Sequence, residues 1–444
     1  MRMHLVGQFI LALLVGAVSL ATAQDTPPIS SAAVETMKTL NALPQVKAAL
    51  TAIERDDALT FRDQLELTEI PAPPFKESVR AAEYLKRMRA LGLDARIDTE
   101  GNVIGVLKGR GEGPRLVLAA HLDTVFPEGT DVKVKKQGDR YYAPGIGDDT
   151  RGLAAVLQTI RSMKEAKIEP VGDIVFVGNV GEEELGDLRG VKALFRDDKT
   201  IDGFISVDGV SVWRLVTAAT GSRRFKLTFK GPGGHSFGAF GLPSAIHAMG
   251  RAIAKMADVQ TPKEPKTTFT VGTVGGGTSV NSIAADAELG LDMRSDSAEA
   301  LAKLETQMLS LAQTAVDEEN ARWNVKPGNN IITLTVKLVG DRPAGSQPAA
   351  SPVVESARAA ITSRGLEVRA MVASSTDSNL PISLGIPAAT LGGGGNGGGS
   401  HSPGEWYSPT GGYQGPQTIL LTVLGLVGVH GATTPLLPIR ATSK

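Results

Sequence analysis

Apolar and polar positions alternate along this chain in two rhythms, and the places where the rhythm changes divide it. Between residues 34 and 91 apolar positions recur at helical spacing. This predicts helices over 34–50 and 55–68, and another over 77–91 with Val79, Ala82, Leu85 and Met88 on one stripe. Short strands are expected at 95–98 and 103–108. Compact apolar runs follow at 116–121, 173–179 and 204–208, with a helical stretch at 151–163. An unbroken apolar run of that length is the form of a strand covered on both faces. Such strands alternating with helices predict an α/β fold, a mostly parallel sheet flanked by helices.

Past residue 218 the rhythm changes. Phe225, Leu227 and Phe229 alternate with Arg224, Lys226 and Thr228, and Ala287, Leu289, Leu291 and Met293 with Glu288, Gly290, Asp292 and Arg294. A period of two belongs to antiparallel strands with one wet face. With helical stretches at 244–256 and 297–318, these strands predict an α+β insert over 218–342. The first rhythm then resumes: a helix at 352–364, strands at 367–373 and 388–391, and an apolar helix at 418–429 that is too short to span a bilayer. Residues 24–217 and 343–444 are therefore expected to form one domain interrupted by the insert.

Residues 1–23 read differently. Arg2 and His4 precede an apolar run over 5–20, and Ala21-Thr22-Ala23 supplies the small residues of a cleavage site. A secretory signal peptide is expected, and with it a secreted or periplasmic protein. The 444 residues include no cysteine, so disulfides, thiolate ligands and a cysteine nucleophile are excluded. Lys and Arg total 46 against 47 Asp and Glu, a net charge of −1. That balance offers no basic excess for nucleic acid, and no basic amphipathic segment offers a membrane surface contact after signal cleavage.

Chemistry-bearing residues gather just after the expected strands. In His121-Leu122-Asp123, positions i and i+2 of an extended segment share a face, so an imidazole and a carboxylate can act together; a surface histidine beside a capping aspartate has the same pattern. Asp148 and Asp149 follow a glycine-rich turn and open a helix, where either also suits a cap. Glu182, Glu183 and Glu184 are adjacent carboxylates at a strand end, either a solvated charge run or a cation site. Asp208 ends a strand at the edge where open parallel sheets hold ligands. His401 follows the glycine-rich stretch 392–399. Two imidazoles and several carboxylates without a thiolate make a donor set for two Zn2+ ions, with Co2+ or Mn2+ as alternatives, and one carboxylate can bridge both ions.

Eight motifs in order carry a resemblance over residues 55 to 432. They are Ala120-His121-Leu122-Asp123-Thr124-Val125, Gly145-Ile146-Gly147-Asp148-Asp149, Gly181-Glu182-Glu183, Val207-Asp208-Gly209, Gly233-Gly234-His235-Ser236, Asn281-Ser282-Ile283, Asp292-Met293-Arg294 and His401-Ser402. The chain resembles the family of co-catalytic zinc hydrolases that includes glutamate carboxypeptidase, peptidase T and aminoacylase. The resemblance implies that Asp148 bridges two zinc ions, that His121 and Asp208 complete one ion's ligands, and that Glu183 and His401 complete the other's. It implies that Asp123 orients His121 and that Glu182 is the general base. Because Glu184 extends the acidic run, Glu183 and Glu184 could instead take those two glutamate roles. Asp149 would lie beside the site, and Asp377 resembles a recurring acidic position near it. The insert resembles a dimerisation and lid domain, in which His235 matches a histidine that stabilises the oxyanion, often from the partner subunit. Asn281 and Arg294 match residues that hold the substrate's carboxylate, with Arg342 as a further candidate. The implied protein is an exported, homodimeric two-zinc metallopeptidase for short peptides. The alternatives are an amidohydrolase of N-acyl amino acids and, from another class, an inactive peptide-binding relative.

Overall fold

A computed structural model describes residues 27–441 apart from 326, 327 and 329; the expected signal peptide at 1–23 lies outside them. An eight-stranded sheet runs in the order Asp94–Ile97, Val103–Leu107, Asp173–Asn179, Arg115–His121, Gly203–Val207, Ala388–Leu391, Arg214–Ala219, Ala370–Ser374. Asp173–Asn179, Arg115–His121, Gly203–Val207 and Ala388–Leu391 are mutually parallel, and the first two strands of the order pair antiparallel at one side.

The unbroken apolar runs serve two cores at once. Leu116, Leu118, Ala120, Ile174, Phe176 and Ile205 pack on one face, in a core that also holds residues of the helices Thr150–Glu165 and Gln414–Val427. Val117, Ala119, Val175, Val177 and Phe204 pack on the other, with Val191 and Leu194 of the helix Arg189–Asp197. Successive side chains of a strand point to opposite faces, so a strand covered on both sides must be apolar at every position.

Between Arg214–Ala219 and Ala370–Ser374 the chain builds a second, four-stranded antiparallel sheet in the order Thr267–Gly276, Asp286–Ser295, Gly221–Lys230, Thr333–Arg342. Phe225, Leu227, Phe229, Leu289, Leu291 and Met293 turn one face to the helices Ala245–Ala257 and Ala298–Arg322. The other face carries Arg224, Lys226, Glu288, Asp292 and Arg294 and faces the cleft described below.

Several local readings need correction. The two helices expected before residue 68 are three, Ser31–Ala42, Pro44–Arg55 and Asp57–Thr68. Pro44 cannot continue a helix from Ala42 but suits the first turn of a new one. The helix Ser78–Ala90 buries Arg80, Ala81, Tyr84 and Met88, while Val79 is exposed. The stripe is rotated because Arg80 donates to the carbonyl oxygens of Ile70 and Leu122, and the Tyr84 hydroxyl to that of Leu153. A third sheet, from Lys135–Gln137, Arg140–Tyr142, Asn396–Gly398 and Trp406–Ser408, leaves no mark in the sequence, since strands of three residues show no periodicity. Among the described residues no helix is long and apolar enough to cross a membrane.

Leu118, fully buried at the centre of the sheet, gives a direct check on this packing. Leu118→Ala should cost about 2–5 kcal/mol, read as a lower denaturant midpoint with an unchanged slope.

Candidate active site

The parallel register brings the carboxyl ends of four strands into line. His121 sits opposite Asn179, and Val207 opposite Leu391. The turns leaving this edge carry His121 with Asp123, Glu182 with Glu183, Asp208, and the glycine-rich loop that reaches His401. Asp148 comes from the turn that opens the helix Thr150–Glu165.

These residues converge on Asp148. His121 Nε2 lies 3.1 Å from Asp148 Oδ1, and His401 Nε2 lies 3.2 Å from Asp148 Oδ2 and 3.1 Å from Glu183 Oε1. Donor atoms of His121, Asp148 and Glu183 all fall within 4.8 Å of one another. Glu183 is buried in this cluster while Glu184 is exposed. His401 reaches it with φ at 64°, a left-handed backbone that histidine tolerates better than most residues. Asp208 lines the same cleft, and its carboxylate has no hydrogen-bond partner among the described residues. Glu182 lies beside the cluster, accepting from Arg342 Nη1 at 3.0 Å, while Arg342 Nη2 donates to the Glu182 carbonyl oxygen.

Charge here is poorly balanced by protein groups alone. Burial opposes a proton on His121, but Asp123 and Asp148 outweigh it and push the imidazole well above its ordinary value. Asp148 and Glu183 push His401 up to about 11. Burial and the charge of Asp148 push Asp208 up to about 7. Burial also lifts Glu182 well above the carboxylate range, against Arg342 and with help from Glu183. The carboxylates thus demand positive charge, and imidazole nitrogens facing carboxylate oxygens are a donor set that fits divalent ions such as zinc.

A surrounding set of acids holds this arrangement. Asp123 accepts from the N–H groups of Glu182 at 3.1 Å and Glu183 at 2.8 Å, and its carbonyl oxygen lies 3.0 Å from His121 Nδ1. Its carboxylate is 3.6 Å from that nitrogen, so it holds the glutamate backbone more tightly than the imidazole. Asp149 accepts from the His121 N–H at 3.1 Å and caps the helix through Gly152 N–H at 3.1 Å. Buried Asp377 accepts from Asn179 Nδ2 at 2.7 Å. Glu405 escaped the sequence reading. It accepts from the N–H groups of Gly145, Gly147 and Asp148 at 2.9, 2.8 and 3.0 Å and so shapes the turn that presents Asp148. Its only sequence signal is an acid four residues after His401.

Above the cluster lies a cleft of about 790 Å³, roofed by the polar face of the second sheet. Arg294 lines it, bonded to Asp292 at 2.9 Å, and Arg224 bonds the same aspartate at 2.9 Å. Arg342 lines it too, but is buried and tied to Glu182 and Ser375. His235 and Asn281 are not among the residues lining the cleft; they are exposed beside the short pairing of Gly234–His235 with Ser282–Ile283.

Residues 117–424 match the family described as peptidase family M20/M25/M40, and the chain belongs to that family. Carboxypeptidase G2 of Pseudomonas sp. is 28% identical over 199 residues, 44% of this chain and 47% of that protein, so the match spans about half of the relative's length. A tripeptidase from Staphylococcus aureus superposes with a TM-score of 0.67 at 24% identity, covering 83% of this chain and 97% of that one. A protein of Bacillus subtilis described as a dinuclear metal-binding peptidase superposes with a TM-score of 0.62 at 17% identity, covering 84% and 99%. These likenesses of structure establish the shared fold.

Glu405→Ala should leave three backbone N–H groups without their acceptor and loosen the turn bearing Asp148. Zinc affinity, measured by calorimetry, should fall by about 10–100-fold, the usual effect of losing a residue that orients a ligand.

Proposed function

We propose that the protein is a metal-dependent hydrolase that cleaves an amide bond in short peptides, with Glu182 as its general base. The observation that carries this reading is the convergence of His121, Asp148, Glu183 and His401 beside the buried Glu182 at the floor of a substrate-sized cleft. Family membership supports it, as does the peptidase activity named for its relatives.

In this reading His121, Asp148 and Asp208 would hold one zinc ion, and Asp148, Glu183 and His401 would hold a second. When bound, the ions supply Lewis acidity and a water of lowered pKa. Asp123, through the N–H groups of Glu182 and Glu183, fixes the base relative to its neighbouring ligand. Glu182 takes a proton from the attacking water as its oxygen adds to the amide carbon. It then returns that proton to the nitrogen as the C–N bond breaks, leaving a carboxylic acid and an amine, which become carboxylate and ammonium by proton exchange. A carboxyl beside the attacking water suits both steps, since it can accept a proton and then deliver it. Once the insert closes, Arg294, exchanging its bond to Asp292, and Asn281 would hold the substrate's terminal carboxylate and His235 would stabilise the oxyanion, while Arg342 braces Glu182.

The proposal extends to organisation. Residues 24–217 and 343–444 make the catalytic domain, residues 218–342 a lid, and residues 1–23 direct export. Pairing of two chains through the lid would cover Phe237, Phe240 and Val280, which are exposed, and would bring the partner's His235 toward the cleft.

Purified protein should cleave members of a panel of dipeptides, tripeptides, blocked peptides and N-acetyl amino acids. The preferred member separates peptidase from amidohydrolase. Chelation should abolish turnover and zinc restore it. Glu182→Gln should lower kcat by about 10²–10⁴-fold while still binding metal. Full activity in that variant would assign the base to another carboxylate, and metal binding without any turnover would contradict the hydrolase reading.

A further inference from the structure

Four arginines line the cleft, and three are already engaged: Arg224 and Arg294 on Asp292, and Arg342 on Glu182. Arg214, at the start of the strand Arg214–Ala219, makes no ion pair among the described residues. It also lines a separate recess of about 180 Å³. Asp208, Gly209, Arg214 and Ser400 border both spaces, so the recess adjoins the cleft beside the metal-ligand cluster. A space of that size has room for one side chain.

The walls are built for close approach. Gly392 and Gly398 line the recess; a Cβ on Gly392 would come within 2.5 Å of the Ser211 backbone, and one on Gly398 within 3.1 Å of Trp406 Nε1. Ser211 and Ser400 add hydroxyl groups to the lining. Two acids also border it. Glu405 is occupied by three backbone N–H groups, and Asp208 faces the cluster already described. Arg214 therefore leaves a guanidinium fork whose natural complement is a carboxylate.

We propose that this recess is a subsite for an acidic side chain, taking the aspartyl or glutamyl carboxylate of the residue next to the scissile amide. The assignment of a neighbouring scissile bond rests on the hydrolase reading, whereas the recess and its cation belong to the fold itself. The subsite makes the protein selective for acidic substrates over their carboxamide counterparts. The two have nearly the same shape, so the discrimination comes from charge.

The test uses the full metal-loaded chain and two readouts. One is kcat/KM for matched substrates differing only as Glu against Gln, or Asp against Asn. The other is calorimetric binding of free glutamate against glutamine, which needs no turnover. Wild type should favour the acidic member by about 10–100-fold, the range of a charge-assisted hydrogen bond. Arg214→Gln should bring both ratios close to one, and Arg214→Glu should shift preference toward a lysyl substrate. Equal handling of acid and amide by wild type, or a preference that survives Arg214→Gln, would overturn the proposal. So would a loss of zinc affinity in Arg214→Gln with the ratio unchanged, because Arg214 would then serve only to offset Asp208. Glutamate binding that depends on Arg214, with no amide cleaved, would sustain the subsite and refute the hydrolase reading instead.

Discussion

Repulsion among buried carboxylates at one edge of the large sheet sets the conditions that the surrounding structure has to meet. Asp123, Asp148, Asp149, Glu182, Glu183, Asp208 and Asp377 gather there, and most are buried. Two unit charges about 4 Å apart repel by about 4 kcal/mol at an effective dielectric near 20. A few such pairs left unanswered would cancel the whole stability of an ordinary domain, about 5–15 kcal/mol. The fold answers some of them itself. Backbone N–H groups hold Asp123 and Asp149, Asn179 holds Asp377, and Arg342 holds Glu182. Arg80, fully buried, adds a positive charge near Asp123 and Asp149. What remains, Asp148, Glu183 and Asp208 with two imidazoles, is the part that calls for cations.

The second sheet is fastened to this edge. Asp341 N–H donates to Asp187 at 2.7 Å, Lys192 donates to the Asp341 carbonyl at 2.9 Å, and Arg224 donates to the carbonyl of Glu184. Arg342, at the end of the strand Thr333–Arg342, closes the set on Glu182. Every one of these contacts falls on the loop that carries Glu182 and Glu183 or on the helix that follows it. The position of the roof and the position of the base are therefore mechanically linked, so movement of the insert would be felt at Glu182.

The parts of this arrangement visible in the sequence are those imposed by burial. A strand packed on both faces has no freedom to be polar, so 116–121, 173–179 and 204–208 stand out as unbroken apolar runs. Their carboxyl ends then mark where His121, Glu182, Glu183 and Asp208 emerge. The insert stands out for the opposite reason, since one wet face enforces alternation. Contacts made through the backbone leave no such trace. Glu405 binds three N–H groups about 260 residues earlier in the chain, and nothing in its neighbourhood marks it. The three-residue strands that carry its loop are too short for a pattern. Buried Arg80 rotates the expected helix stripe because its hydrogen bonds to carbonyl oxygens outweigh the exposure of Val79. Arg294 resembles in sequence a residue that holds a substrate's carboxylate, and in the structure Asp292, two residues earlier on the same face of its strand, already engages it.

The central claim is that the unanswered carboxylates and imidazoles at this edge hold two divalent cations. Calorimetric titration of zinc into chelator-stripped protein, with the melting temperature followed in parallel, tests it most directly. The account predicts two equivalents per chain and a rise in melting temperature on binding, both lost together in Asp148→Ala, because that one carboxylate faces both imidazoles. Binding of no zinc, or a stoichiometry and melting temperature unaffected by Asp148→Ala, would contradict it.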